Sequence, residues 1–83
     1  MYSSFDPLEE LLAEIARTLV DHPNEVEVRA VQGQVVSILE LRVHPEDLGK
    51  VIGRHGRTAD AIRTIIGAAG WKLHEHVTVE IID

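Results

Sequence analysis

The spacing of apolar residues predicts a helix near the start of the chain. Apolar side chains recur at intervals of three and four positions, which places on one helical face Leu8, Leu11, Leu12, Ile15, Ala16, Leu19 and Val20. Asp6 is placed to accept hydrogen bonds from the free amides of the first turn, and Pro7 suits the first helical position, where no amide donor is needed. Because Pro23 disfavours helical geometry at His22, we expect the helix to end before it.

Two stretches of alternating polarity follow and predict β-strands. Residues 25–30 alternate charged with apolar side chains, so that Val26, Val28 and Ala30 share one face. A turn at residues 32–34 leads into residues 35–43, which are rich in aliphatic and β-branched side chains. The core face of this second strand is expected to carry Val35, Ser37, Leu39, Leu41 and Val43. Val36 and Ile38 are apolar on the opposite face, and we expect a helix or a loop edge to cover them.

The pattern becomes helical again after residue 44. Residues 45–47, Pro-Glu-Asp, are typical of a first turn with acids at the positive end of a short helix that runs to about Val51. A longer helix is predicted over residues 57–69, with Gly70 placed to end it. The inner side of this longer helix is expected to carry Thr58, Ile62, Ile65, Ile66 and Ala69.

The order of elements predicts the fold class. Residues 77–82 form a last strand, in which Val77, Val79 and Ile81 share a face. The chain then reads α-β-β-α-α-β over residues 1–83, with no repeat, linker or low-complexity segment, so we interpret it as a single domain. Two helices between the second and third strands predict an α+β sandwich, its helices packed on one face of a three-stranded sheet.

Composition and charge narrow the possible functions. The chain has 83 residues and no cysteine, which excludes disulfides, thiolate metal sites and a cysteine nucleophile. Its formal charge of −6 argues at first sight against a polyanionic partner. Residues 48–72, however, hold five basic residues and one acidic residue, a local balance of +4. No signal segment or membrane-spanning run is visible, so we expect a cytoplasmic protein without membrane insertion.

The basic window contains a glycine loop between the two predicted helices. Gly53 and Gly56 lie three positions apart, and without a Cβ atom they permit a tight turn and a close approach by another backbone. The next helix begins just after Gly56, so its unpaired amides and positive dipole end face the same space, where a phosphate fits. Lys50, Arg54 and Arg57 add positive charge there. The loop is neither a Walker A loop nor a dinucleotide-binding GxGxxG motif, because it lacks their residues and their preceding strand.

These residues resemble a known family. Val-Ile-Gly-Arg-His-Gly-Arg at residues 51–57, set between two helices within β-α-α-β, is similar to the GXXG signature of KH domains. The additional N-terminal helix and strand resemble the type II arrangement. The length and the sequence of residues 58–66, Thr-Ala-Asp-Ala-Ile-Arg-Thr-Ile-Ile, are similar to small single-domain bacterial KH proteins of the KhpA (YlqC) family. The resemblance extends from about Leu8 to Ile82.

The resemblance implies a non-catalytic protein that binds single-stranded RNA, of the RNA chaperone or post-transcriptional regulator type. It assigns loop shape to Gly53 and Gly56, backbone-amide contacts to Arg54 and His55, and phosphate contacts to Arg54, while Arg57 and Lys50 add charge. The apolar floor for the bases would be formed by Val51, Ile52 and Ile62. Family loops often carry Lys, Gln or Arg where this chain has His55. The resemblance also implies a homodimer or a heterodimer with a second KH protein, and links to RNA metabolism and to cell-wall growth and cell shape.

Alternatives to RNA binding rest on weaker patterns. A KH scaffold that acts mainly in dimerisation or protein interaction is suggested by the apolar second face at Val36 and Ile38. His74 and His76 lack a third placed ligand, so we expect no metal site there. Trp71 could stack on a base, but directly after a helix stop it is expected to seal an edge of the core. No nucleophile with a base and an orienting partner is recognisable, so no enzymatic activity, cofactor or small-molecule substrate is expected.

Overall fold

The helices and strands occur in the order that the sequence predicts. The structure is a computed structural model, and it describes residues 6–83. Its elements are α1 (Asp6–Leu19), β1 (Glu27–Val31), β2 (Ser37–Arg42), α2 (Leu48–Ile52), α3 (Arg57–Lys72) and β3 (Val77–Ile82). Three 3-10 turns connect them, at Pro23–Glu25, Pro45–Asp47 and Arg54–Gly56. The α-β-β-α-α-β order is therefore confirmed.

The three strands form a mixed sheet in the order β1-β2-β3. β1 pairs antiparallel with β2, with Ala30 opposite Leu39, and β2 pairs parallel with β3, with Leu39 opposite Val79. A parallel pair needs a crossover, and α2 and α3 supply it. This crossover holds the loop between α2 and α3 beside the sheet.

The core lies between the sheet and the helices. The central strand contributes Leu39 and Leu41, both fully buried, and the alternation predicted for β2 is confirmed over residues 37–43. The helices contribute the buried side chains Leu8, Leu12, Ala13 and Ala16 from α1 and Ala59, Ile62 and Ile66 from α3. The predicted α1 stripe is wider than the buried one, since Leu11 and Leu19 are each 37% exposed. On α3, Ile65 was expected inside but is 49% exposed.

The predicted strand starts were too early. β1 begins at Glu27 because residues 23–25 form a 3-10 turn. Val35 lies outside the sheet and is 87% exposed. Val36 precedes β2 and is 40% exposed, and it lines a cleft beside α3, so a helix edge borders it. Over Ile38 no helix of residues 6–83 is found, because the helices pack on the other sheet face. The cap predicted for the side chain of Asp6 lies outside the described residues.

The prediction that Gly70 ends the long helix is wrong, because α3 continues to Lys72. The helix ends at Lys72, and His74, two residues further on, adopts a left-handed conformation with φ of 61°. The amide of Glu75 then donates to the carbonyl of Gly70 at 2.8 Å, which satisfies a terminal carbonyl of the helix. Gly70 itself is buried, and a Cβ there would lie 2.9 Å from the carbonyl oxygen of Glu75. This glycine therefore permits close packing rather than a turn.

The sequence predicts no membrane insertion, and a membrane-spanning helix would have to be both long and apolar. Among residues 6–83, none of the helices combines the length and the apolar character needed to cross a bilayer.

Candidate nucleic-acid interface

The loop between α2 and α3 turns through three residues with positive φ. Gly53 has φ 77° and ψ 172°, His55 has φ 56° and ψ 24°, and Gly56 has φ 74° and ψ 12°. The conformation of Gly53 is one that essentially only glycine adopts, whereas the other two lie in the left-handed helical region. Histidine is one of the side-chain-bearing residues enriched in that region. The loop geometry thus depends on Gly53 and on two residues, His55 and Gly56, that tolerate the left-handed conformation.

The two glycines of the loop differ in their surroundings. A Cβ on Gly53 would clash with Thr58 Oγ1 and would lie 2.7 Å from Thr58 Cβ and 2.9 Å from Thr58 N. A Cβ on Gly56 would meet nothing within 4 Å. Gly53 therefore packs its backbone against the first turn of α3, while Gly56 faces open space. The two glycines are equivalent in the sequence motif, so the sequence does not reveal this difference.

The loop presents backbone dipoles to the space in front of α3. Gly56 precedes the helix, and no side chain of the described residues caps its first turn by a hydrogen bond. Arg54 is helical and His55 left-handed, a sequence of conformations whose successive amides form a concave site for an anion. The amide of Gly56 donates to the carbonyl of Gly53 at 3.1 Å, so an anion would face the amides of Arg54 and His55. The helix dipole adds partial positive charge at the same end. This geometry favours a phosphate or another small anionic group.

The three basic side chains around the loop are not equivalent. Arg54 and Arg57 are exposed, and within the described residues neither forms an ion pair. Lys50 is paired, since its Nζ lies 3.3 Å from Asp21 Oδ2 and 3.6 Å from Asp47 Oδ1. The hydrogen bond with Asp21 raises the pKa of Lys50 above its usual value, so the group stays charged but largely compensated. The free positive charge of the loop therefore comes from the two arginines.

Asp47 anchors α2 to the end of α1, which the sequence did not indicate. Its side chain is fully buried and accepts hydrogen bonds from the amides of Asp21 at 3.2 Å and His22 at 2.9 Å. The Nδ1 atom of His22 lies 3.0 Å from the same carboxylate. Burial alone raises the pKa of Asp47, but the hydrogen bonds from His22 and the two amides outweigh it and lower the pKa to about 2. The sequence showed only an acid in a first turn, because its partners lie 25 and 26 positions away.

Beside this anchor, His22, His44 and Glu46 bring potential ligand atoms within 4.8 Å of one another. The two imidazole rings stack, with centroids 4.0 Å apart and planes inclined by 13°. A metal ion lies close to the plane of each imidazole that binds it, because the nitrogen lone pair lies in the ring plane. Two stacked rings do not converge on one ion, so this arrangement does not fit a shared metal site.

The apolar residues predicted as a floor for bases divide into two groups. Val51 is fully buried and Ile62 is 2% exposed, so both belong to the core and offer no surface to a ligand. Ile52 is 37% exposed and follows Val51 at the end of α2, next to Gly53. Of the three, the structure leaves only Ile52 at the surface beside the loop.

A cleft runs along the side of α3 that faces β3. Its described walls enclose about 250 Å³ between α3 and the segment that leads into β3. Arg63 lines it, donating from Nε to the carbonyl of Val79 at 3.1 Å and from Nη1 to Asp60 Oδ1 at 3.2 Å. The sequence alone does not reveal this position of Arg63, because nothing in the local pattern shows that the edge of β3 lies beside it.

Comparison with known proteins places this geometry in a family. The family model "KhpA/KhpB, KH domain" matches residues 9–81. The chain belongs to the KhpA/KhpB family of KH domains. The "RNA-binding protein KhpA" of Clostridium acetobutylicum is 56% identical over 75 residues, which cover 90% of this chain and all of that protein. The proteins of the same name from Treponema pallidum and Aquifex aeolicus are 52% and 42% identical, covering 90% and 92% of this chain and 94% and 96% of their own lengths.

The KH fold is also found in a solved structure. A crystal structure of a variant of Aquifex aeolicus Era bound to GDP·AlF4− is similar to this KH domain with a TM-score of 0.66. The likeness covers 90% of this chain and 29% of the Era chain, at 20% sequence identity, and it shows the shared fold. The loop at residues 53–56 is thus the loop between the two crossover helices of a single KH domain.

Proposed function

We propose that this KH domain binds single-stranded RNA and does so without catalysing a reaction. The single observation that carries the proposal is the loop at residues 53–56, whose left-handed turn, helix start and exposed arginines, which form no ion pair within residues 6–83, suit a sugar-phosphate backbone. The relatives are named as RNA-binding proteins, which supports the same assignment. We place this activity in the cytoplasm because that is where the RNA of a bacterial cell is made and used.

Charged and apolar groups contact different parts of the RNA in this proposal. The amides of Arg54 and His55 and the guanidinium groups of Arg54 and Arg57 contact phosphates, which fixes the position of the strand. Bases rest on Ile52 and on the first turns of α3 beside the loop, and about four nucleotides fit a groove of this kind. Val51 and Ile62 act from beneath, by holding α2 and α3 in place as part of the core.

The decisive experiment changes charge at the loop without changing its shape. Gly56→Asn and Gly56→Asp place side chains of nearly equal size where a Cβ meets nothing, and both residues tolerate the left-handed conformation. The aspartate adds a negative charge beside the phosphates, so Gly56→Asp should weaken RNA binding about tenfold more than Gly56→Asn. Fluorescence polarisation with a labelled RNA measures affinity, and circular dichroism confirms that both variants fold. Equal affinities in two folded variants would contradict the proposal.

The salt dependence tests which cations contact phosphates. Each lost phosphate contact reduces the slope of log K against log salt concentration by about 0.7 for a single strand. Arg57→Gln should weaken binding and reduce the slope, while Lys50→Gln should do so less because the ammonium of Lys50 is already paired. A larger effect of Lys50→Gln than of Arg57→Gln would show that the strand runs along α2 instead of the loop.

A second candidate function is pairing with another KH domain, either a second copy or a different KH protein. The observation in its favour is the sheet face opposite the helices, which no helix of residues 6–83 covers and on which Val31 and Ile38 are only half-buried. The neighbouring pairs Glu27 with Arg42 and Arg29 with Glu40 could contact a complementary charged face. Sedimentation of the purified chain, and of an Ile38→Lys variant, tests this: self-association that the variant loses supports pairing through the sheet. A monomer at high micromolar concentration argues against self-pairing.

A further inference from the structure

Trp71 is exposed at the end of the cleft that is distant from the glycine loop. It lies in the last turn of α3, 70% of its surface is exposed, and it lines the cleft together with Arg63 and Gly67. The sequence predicted that it would seal the core, but the core closes at Gly70 and Val77 without it. A tryptophan left on the surface exposes a large apolar area to water, which is unfavourable unless another group covers it.

The cleft and the loop lie on one helix. Arg57 begins α3 and Trp71 follows fourteen positions later, so about 21 Å of helix separates them. Arg63 lies between these two residues, held by its hydrogen bond to the carbonyl of Val79 on the edge strand. A strand that is fixed at the loop and follows the cleft along α3 therefore meets Arg63 first and Trp71 last.

The surroundings of Trp71 suit a flat ring. Gly67 and Ala68 line the cleft with little or no side chain, so space remains beside the indole. His76 contacts the indole at an angle, with ring centroids 5.3 Å apart and planes inclined by 64°, which helps to fix the orientation of the tryptophan. Nucleobases stack on aromatic side chains whatever their sequence, since every base has a π-face.

The charge of the helix favours RNA over a protein partner as the occupant. α3 lies within the window of residues 48–72, which holds five basic residues and one acidic residue. Glu75 is the one carboxylate among the described residues that line the cleft, and Arg63 faces the same space. The cleft and the loop proposed to hold phosphates also share α3, which begins at Arg57 and lines the cleft further along with Arg63 and Trp71.

We propose that Trp71 is a stacking platform for a base that lies beyond the roughly four nucleotides held near the loop. This inference rests on the proposed RNA-binding function and extends its site to the C-terminal end of α3. It predicts that this KH domain distinguishes RNA by length: strands that reach Trp71 bind more tightly than strands that end before it.

The chain contains a single tryptophan, so its emission reports on this position alone. Random-sequence RNA pools of 4, 6, 8 and 10 nucleotides, labelled with fluorescein, are titrated with the parent protein and with Trp71→Ala and Trp71→Phe. We expect affinity to rise with length up to a plateau, and Trp71→Ala to weaken binding of the 8-nucleotide pool about tenfold while leaving the 4-nucleotide pool unchanged. Trp71→Phe should keep most of the affinity. Unlabelled 8-nucleotide RNA should quench the tryptophan emission, whereas 4-nucleotide RNA should not.

Ile65→Ala is the matched control, since it removes an exposed apolar side chain of α3 that lies about 120° from Trp71 around the helix. If short and long RNA bind the parent equally, or Trp71→Ala binds long RNA like the parent, Trp71 is not a platform and the inference is wrong. Loss of self-association in Trp71→Ala with unchanged RNA affinity would identify the cleft as a protein contact and overturn it as well. Binding of neither short nor long RNA would refute the proposed function and this inference together, whereas loop-dependent binding without a length effect refutes the inference alone.

Discussion

Substitution by alanine should destabilise the fold far more at Gly53 than at Gly56, although the two glycines occupy equivalent positions in the motif. In Gly56→Ala the new methyl group meets nothing within 4 Å, so the cost is that of a left-handed alanine, about 1 kcal/mol. In Gly53→Ala the backbone conformation itself costs about 1–3 kcal/mol. The methyl group also lies 2.7 Å from Thr58 Cβ and 2.9 Å from Thr58 N, and such overpacking adds about 1–3 kcal/mol.

The two alanine variants should therefore differ in their free energies of unfolding. Gly53→Ala should lose about 2–6 kcal/mol and Gly56→Ala about 1 kcal/mol, and the former is large against the roughly 4–12 kcal/mol typical of a chain of this size. In thermal unfolding each 1 kcal/mol corresponds to about 4–8 °C in Tm, so the two variants should differ by at least about 4 °C. Urea unfolding followed by circular dichroism measures the difference directly.

A third variant tests the assigned cause. Adding Thr58→Ala to Gly53→Ala removes the Oγ1 atom that the new methyl group meets, so part of the lost stability should return. Equal losses for Gly53→Ala and Gly56→Ala, or no recovery in the double variant, would refute the view that Gly53 is fixed by its contact with the first turn of α3.

Two further predictions concern buried contacts of the fold. Asp47→Asn places an amide donor against the amides of Asp21 or His22 and should cost about 2–3 kcal/mol near neutral pH. Because the folded pKa of Asp47 is depressed to about 2 from 3.8, its contribution is present above pH 4 and is lost as pH falls towards 2, so urea unfolding should show the two proteins converging over that range. Gly70→Ala should destabilise by about 1–3 kcal/mol, because its methyl group would lie 2.9 Å from a backbone carbonyl. Gly67→Ala, in the same helix with open space around it, should instead stabilise by about 0.5–1 kcal/mol, and thermal unfolding of the pair distinguishes the two.

The sequence predicted the parts of the fold that depend on local periodicity. The alternation in β2 and the spacing of Leu8, Leu12 and Ala16 in α1 each identified the buried face, because a strand or helix repeats regularly. The position of the glycine loop was also predictable, since Gly53 and Gly56 stand between two helical patterns.

The remaining features depend on contacts between distant residues. Asp47 is buried because the amides at the end of α1 point towards it, and no local pattern shows this. Val51 and Ile62 looked suitable as a surface for bases, but the packing of α2 and α3 on the sheet places them inside. A glycine at position 70 is typical of a helix end. In the structure, Gly70 instead lets the segment before β3 approach the helix closely.

The hydrogen bond from Arg63 to the carbonyl of Val79 has a consequence for aggregation. β3 lies at one edge of the sheet, and an exposed edge offers unpaired amides and carbonyls that can add a strand from another molecule. The guanidinium group occupies one of these acceptors in the middle of the strand and places a cation beside it. Charged side chains on edge strands oppose fibril-like growth in this way. Arg63 thus protects this edge strand of a small domain from pairing with its copies.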